Sequence, residues 1–278
     1  MTYQTLSVSI DNQIAHVQLS RPDEYNTMNT AFWQELPAAI REIDAAALAR
    51  VIVLSSTGKH FTAGMDLSVF TSPDEDMFTG EAGRRQEIMR HRVKVLQETF
   101  NRLEQVRMPV LAAIQGGCIG GGVDMVTACD SRYCTADAFF CVKETDIGMT
   151  ADLGTLQRLP RVIPQGLARE LCYTARRCPA PEALAAGLVN RVFDTHEAML
   201  EGVFDIAKQI ARQSPLAVAG TKEMLNYSRD HTLADSLNYM AVWQTGMFQP
   251  TDMAEVFTAK AEGRDTEFEE LRPLPGGF

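Results

Sequence analysis

A chain of 278 residues has room for one large core, or for one large domain with an appendage. Its formal net charge of −10 argues against a nucleic-acid or anionic-membrane surface, and no apolar run is long enough to span a bilayer. The six cysteines (118, 129, 134, 141, 172, 178) show neither metal-ligand spacing nor the framework of a small secreted domain, so buried reduced thiols are expected. With no signal peptide, no Arg-rich transit segment and no Ser-Lys-Leu address, the sequence leads to the expectation of a cytosolic protein.

Thr5–Ile10 and Ile14–Ser20 alternate across Asp11-Asn12 and read as a hairpin. A helix is expected over Thr30–Ala47, with Trp33, Leu36, Ile40 and Ile43 on one stripe, then a buried strand at Val51–Leu54. HFTAGMDL reads as a glycine-bearing loop, Ser72–Gly83 as a polar surface loop, and Glu87–Val106 as a long helix. Val110–Ile114 is a short apolar run expected to be a buried strand, and Phe139–Val142 is strand-like. GTLQRLP should form a short helix stopped near Pro160, followed by helices at Gln165–Thr174 and Pro181–Ala186. Leu188–Phe193 reads as a strand and Glu197–Arg212 as a helix. From Leu216 onward only helical patterns remain, at 216–228, 232–247 and 251–262, before a polar tail. The division is therefore 1–213 for an α/β core with the site, and 214–278 for a helical region.

The richest stretch lies between. The apolar run stops at Gly116-Gly117, three more glycines follow (Gly120, Gly121, Gly122), and VDMVTACD continues at helical spacing. A strand thus feeds a glycine loop that opens a helix. Glycines let a ligand approach the backbone, and the first N–H groups of a helix lack partners and sit at its positive end. Such a site suits a phosphate, a carboxylate or a developing oxyanion. Asp124, three residues after Gly121, is expected to lean back over the Gly121 N–H. A phosphate would be repelled there, whereas a neutral carbonyl that becomes an oxyanion would not. The dinucleotide fingerprint is the rival reading, but the loop is mid-chain and the glycine spacing differs.

Glu144 and Asp152 follow in apolar or glycine-containing sequence, where a carboxyl can have a raised pKa and serve as acid or base. Each acid also has a structural reading. Asp124 would be a first-turn helix acid, Glu144 a partner of Lys143 or an arginine, and Asp152 the cap of a helix starting near Thr155. No serine or cysteine has an adjacent base motif for covalent catalysis, and the histidines do not cluster; His60 is read as shaping its loop.

GGCIGGGVD, FFCVKETDIGMTADLGTLQRLP and HFTAGMDL resemble the crotonase (enoyl-CoA hydratase/isomerase) superfamily, and the acids are most similar to its Δ3,5-Δ2,4-dienoyl-CoA isomerase branch. The resemblance implies an α/β spiral of β-β-α turns with a C-terminal all-helical region that builds a homotrimer or a dimer of trimers. It implies an oxyanion hole from the N–H groups of Met65 and Gly121, and catalytic roles for Asp124, Glu144 and Asp152. Gly64, Met65, Asp66, Leu67, Ser68 and Gly122 would bind substrate, with Asp66 read chiefly as a local cap. Phe70, Met77, Phe78 and Met149 are candidates to line an acyl pocket. The implied substrate is an acyl-CoA thioester of fatty-acid β-oxidation, with no cofactor beyond the CoA it carries and no metal. The implied reaction moves double bonds from a 3,5-dienoyl-CoA to the 2,4 isomer. A hydratase would hold a water between two acids, usually glutamates, and Asp124 is one methylene shorter than that pattern. A catalytically silent CoA-ester-binding member is the non-enzymatic alternative.

Overall fold

The computed structural model describes residues 3–71 and 80–275. The expected hairpin forms from β1 (Leu6–Asp11) and β2 (Ile14–Leu19). Its two-residue turn, Asn12 and Gln13, has φ of 48° and 64°, the left-handed pair that matches the twist of flanking strands. Four further strands extend the sheet: β3 (Val51–Ser56), β4 (Val110–Ile114), β6 (Ser131–Thr135) and β9 (Arg191–Phe193). The order is β1-β2-β3-β4-β6-β9, parallel from β2 onward. A second sheet joins β5 (Gly117–Ile119), β7 (Phe139–Cys141) and the two-residue β8 (Cys178–Pro179).

Strand β3 is buried along its whole length because both faces of the sheet are covered. Alternation sends Val51 and Val53, with Leu111 and Ala113, against Met199, Val203 and Ala207 of helix α8 (His196–Ala211). Ile52 and Leu54 face the other way. They join the main core with Phe32, Leu36 and Ile40 of α1 (Thr30–Ala45) and Phe100 and Leu103 of α3 (Ala82–Gln105). Between α1 and α3 lies the short α2 (Ser68–Thr71). Helix α3 starts five residues before the expected point, capped by Glu81, whose carboxylate accepts from the N–H groups of Gly83 and Arg84. The rest of the expected polar loop falls largely outside the described residues.

Strand β6 is absent from the sequence reading, because SRYCT carries an arginine that belongs on a surface by composition. Arg132 is buried instead, and its guanidinium donates to the carbonyls of Leu188 and Cys129 at 2.7 Å each. Only Arg191–Phe193 of the expected strand at 188–193 is strand; Leu188 and Val189 enter the core as irregular chain. Helix α4 spans Gly121–Thr127, and α5 (Thr155–Val162) runs past Pro160 rather than stopping there. It ends where Ile163 turns extended, the conformation that the following Pro164 imposes. Helices α6 (Gln165–Thr174) and α7 (Ala180–Ala185) follow as expected.

Three helices close the chain: α9 (Pro215–Asp230), α10 (Leu233–Met247) and α11 (Pro250–Glu262). Helix α9 is fastened to the core by buried Lys222, which donates to Leu103 O, Met108 O and Asp130 Oδ2 at 2.8–3.1 Å. The tail then returns past the start of β3 and the end of α1, where Arg50 holds Glu270 at 2.7 Å and Leu274 N donates to Ala45 O at 2.7 Å. The helical region is thus anchored to the core at both of its ends.

Candidate active site

Two loops meet at the end of β3 and β4. Thr62 bridges Cys118 as an isolated parallel pair, with Thr62 N on Gly117 O and Ile119 N on Thr62 O, both at 3.1 Å. Met28 bridges Met65 in the same way: Met28 N donates to Gly64 O and Asp66 N to Met28 O. In a parallel bridge the Met65 N–H points away from Met28. Gly64 carries φ of 90°, and a Cβ there would lie 2.8 Å from Ile119 O and 3.6 Å from Gly121 N. So the Met65 peptide and the first N–H of α4 stand side by side. Among the described residues neither the Met65 N–H nor the Gly121 N–H has a hydrogen-bond partner.

The acids gather next to this pair. Glu144 opens a 3₁₀ turn (Glu144–Ile147), and a Cβ on Gly120 would come 3.3 Å from its Oε1. Its Oε2 is buried with no hydrogen-bond partner among the described residues. The expected pairing with Lys143 does not occur, because Lys143 is drawn to Asp146. Burial, then the negative charge of Asp124, pushes the Glu144 carboxyl up to about 7.

Asp124 is buried, and it does not reach back over Gly121. Its Oδ1 accepts the Thr155 N–H at 2.6 Å, across to the first residue of α5. The reason is electrostatic: the positive end of α5 lacks a side-chain cap at Gly154, and Asp124 supplies one from another helix. Burial raises its pKa to about 6 despite that hydrogen bond. Asp152, in turn, does not cap α5. It stands nearer solvent, its main-chain carbonyl held by Gln97 Nε2 at 2.7 Å, and desolvation raises its pKa. The negative charge of Asp152 also bears on both Asp124 and Glu144, so the three form one electrostatic group.

Asp66 accepts from Ser68 N and Oγ at 3.0 and 2.7 Å and from Thr27 Oγ1 at 3.0 Å, which holds its pKa down at about 2. That is the geometry of a local cap on α2. Leu67 and Ser68 beside it are exposed. Gly122 turns inward: a Cβ there would lie 2.6 Å from Thr62 Cγ2, so its absent side chain serves packing. Met149 is partly exposed just past the acid turn, with its N–H on Glu144 O at 2.9 Å. Met77, Phe78 and the side chain of Phe70 lie outside the described residues.

The supports of the loops went unread in the sequence. Asn26 Nδ2 donates to Thr57 O and His60 O, Thr62 Oγ1 donates to Asn26 O, and Gly64 N donates to Thr62 Oγ1. The one local signal for this was an asparagine able to hold φ of 53°. A concavity of about 730 Å³ lies between α9, α10 and α11, far along the chain from these acids. Size does not locate the chemistry here; the perturbed carboxyls do. No group of histidine, cysteine or acidic residues able to hold a metal occurs among the described residues.

A family model described as enoyl-CoA hydratase/isomerase matches residues 9–271. The chain is 47% identical over 266 residues to the mitochondrial Delta(3,5)-Delta(2,4)-dienoyl-CoA isomerase of Homo sapiens, covering 95% of this chain and 81% of that protein. It is 41% identical to the peroxisomal Delta(3,5)-Delta(2,4)-dienoyl-CoA isomerase of Arabidopsis thaliana, covering 97% and 99%. Among solved structures, an enoyl-CoA hydratase from Bacillus anthracis superposes with a TM-score of 0.86 at 32% identity, covering 95% and 99%. The cytosolic expectation is overturned by these relatives, which are mitochondrial and peroxisomal by name. All six cysteines are free and buried, but a need for a reducing milieu does not single out the cytosol.

Proposed function

The chain belongs to the enoyl-CoA hydratase/isomerase family, and we propose that within it the chain is a dienoyl-CoA isomerase, converting a 3,5-dienoyl-CoA to the 2,4 isomer. The observation that carries this reading is Glu144: a carboxyl whose buried Oε2 has no hydrogen-bond partner among the described residues, poised near 7, beside two unpaired N–H groups.

The thioester oxygen would accept the N–H groups of Met65 and Gly121. Both donors are fixed before reaction, so they favour the charge as it develops. Glu144 takes a proton from C2, and the electron pair spreads through the carbonyl and the 3,5-diene. Protonation at C6 then leaves double bonds at C2 and C4. C2 and C6 are too far apart for one carboxylate to serve both, and Asp152, separately placed and with a raised pKa, is the donor at C6. Asp124 acts on Glu144 through charge and holds the start of α5, three residues beyond Asp152. CoA enters as part of the substrate, and no other cofactor is invoked.

We place the assembly surface in 214–278. Helix α10 has no buried residue, and Leu233 and Phe257 are 76% and 66% exposed on α10 and α11. Faces of this kind support self-association, and the family resemblance makes a homotrimer or a pair of trimers the form we propose.

Isotope exchange tests the chemistry. In Glu144→Gln, both isomerisation and exchange of the C2 proton with solvent deuterium should fall about 10²–10⁴-fold. Asp152→Asn should block isomerisation while C2 exchange continues. Loss of exchange in Asp152→Asn with exchange retained in Glu144→Gln would reverse the two roles. A chain that hydrates 2-enoyl-CoA but leaves the absorbance of a 3,5-dienoyl-CoA unchanged would be a hydratase.

A further inference from the structure

One side chain ties the two halves of the hole together. His60 Nδ1 accepts the Gly117 N–H at 2.9 Å. The backbone is close-packed at that contact: a Cβ on Gly116, which has φ of 55°, would meet the Lys59 carbonyl oxygen first and then lie 2.8 Å from Nδ1. The His60 carbonyl is held from behind by Asn26 Nδ2 at 3.0 Å, and the ring meets Tyr25 and Phe139 at 5.7 and 6.3 Å between centroids. From this tie the two segments run on as the Thr62–Cys118 bridge, one toward Met65 and the other toward Gly121.

We infer that His60 is a positioning residue for the oxyanion hole, holding the Gly117 peptide only while its imidazole is neutral. The kinetic consequence rests on the isomerase reading above. With Nδ1 as acceptor, the neutral ring carries its proton on Nε2. A second proton puts an N–H at Nδ1, facing the Gly117 N–H donor to donor, and the amide loses its acceptor. Four groups face the ring. Lys59 and Arg177 oppose the second proton, Asp137 favours it, and Tyr25 presents its ring at a tilt. Burial is the largest influence, and the pKa falls below the ordinary 6.5. The sign follows: the tie is complete above 6.5 and is lost as pH falls through the lowered value.

Two substitutions separate positioning from bulk. His60→Asn sets an amide oxygen near the place of Nδ1, keeping an acceptor that does not titrate. His60→Leu removes the acceptor. With 3,5-dienoyl-CoA as substrate, His60→Leu should lose about 10- to 100-fold in kcat with little change in KM. His60→Asn should keep the parental kcat at pH 8. Toward acid the parent should lose rate in two steps, one from Glu144 and a lower one from His60, while His60→Asn should show the first alone. Circular dichroism at each pH reports folding. A parental kcat in His60→Leu, or the lower step surviving in His60→Asn, overturns the inference. If no variant and no parent isomerises, the functional reading fails, and amide exchange at Gly117 still decides this one. At a pH where NMR shows the parent's His60 protonated and the fold intact, exchange should be faster in the parent than in His60→Asn; equal rates would overturn it.

Discussion

Gly64→Ala is the sharpest perturbation of the hole. At φ of 90° the residue lies in the left-handed region, where a side chain costs about 1–3 kcal/mol. The new methyl would stand 2.8 Å from Ile119 O, a backbone atom that cannot swing aside. Ile119 is held by its N–H on Thr62 O, and Gly64 by its N–H on Thr62 Oγ1 and its carbonyl on Met28 N. Relief must therefore come from moving the Met65 peptide or the Gly120–Gly121 peptide, and each carries one of the two donors. Losing one such donor costs about 10²–10³ in kcat, or roughly 3–4 kcal/mol. Gly121→Ala is the internal control. Its φ is not positive, and its methyl would meet Met28 Sδ at 3.0 Å, the end of a flexible side chain, so a loss below about tenfold is expected. The assay is kcat and KM for a 3,5-dienoyl-CoA by ultraviolet absorbance, with Tm measured on each variant. The hole acts on the enolate more than on the ground-state carbonyl, so the loss should fall on kcat. A Gly64→Ala enzyme with parental kcat, or one whose whole loss lies in KM, would refute the reasoning.

Three other outcomes follow from the same geometry. The kcat/KM profile should rise with pH through about 7 as Glu144 ionises, and Asp124→Asn should move that rise downward by removing the neighbouring charge; an unmoved or raised inflection breaks the link. A carboxyl held at about 7 against an ordinary 4.5 binds its proton more tightly folded than unfolded, so stability falls as pH rises through that window; Glu144→Gln should thus be more stable than the parent above pH 7, by on the order of 2–3 kcal/mol in urea titration, and no gain would show that the site bears no such cost. Light scattering at micromolar concentration should give a mass three or six times the 30.7 kDa of the chain, and a monomer would remove the assembly proposal.

What could be read in the sequence was local. Val110–Ile114 and the glycines after it report their own structure, since an apolar run and a chain able to take positive φ need no distant partner. Strand β6 could not be read, because its Arg132 is buried by carbonyls that only the fold supplies. The destination of Asp124 is not legible in the sequence for the same reason. Helix geometry points it toward Gly121, but the uncapped start of α5, 31 residues on, takes the carboxylate. The nearness of Met65 to Gly121 came from resemblance alone; its physical basis is the pair of single bridges at Met28 and Thr62, too short to leave a strand pattern. Met77 and Phe78 lie outside the described residues.

The electrostatics also explain why such a site favours a transient charge over a resident one. Asp124 at about 6 and Glu144 at about 7 are both ionised at pH 8, in a place that burial makes unfavourable for either. A permanent anion bound at the Gly121 N–H would add a third negative charge. A thioester oxygen arrives neutral, and becomes negative only as Glu144 takes a proton and gives up its own charge. The charge count is then the same before and after the transfer; it has moved from a buried carboxylate whose Oε2 has no hydrogen-bond partner among the described residues to an oxygen with two N–H donors. The Thr155 N–H keeps Asp124 occupied elsewhere, so that acid does not compete for the donors of the hole. The arrangement therefore lowers the barrier to enolate formation without requiring tight binding of any anion in the ground state.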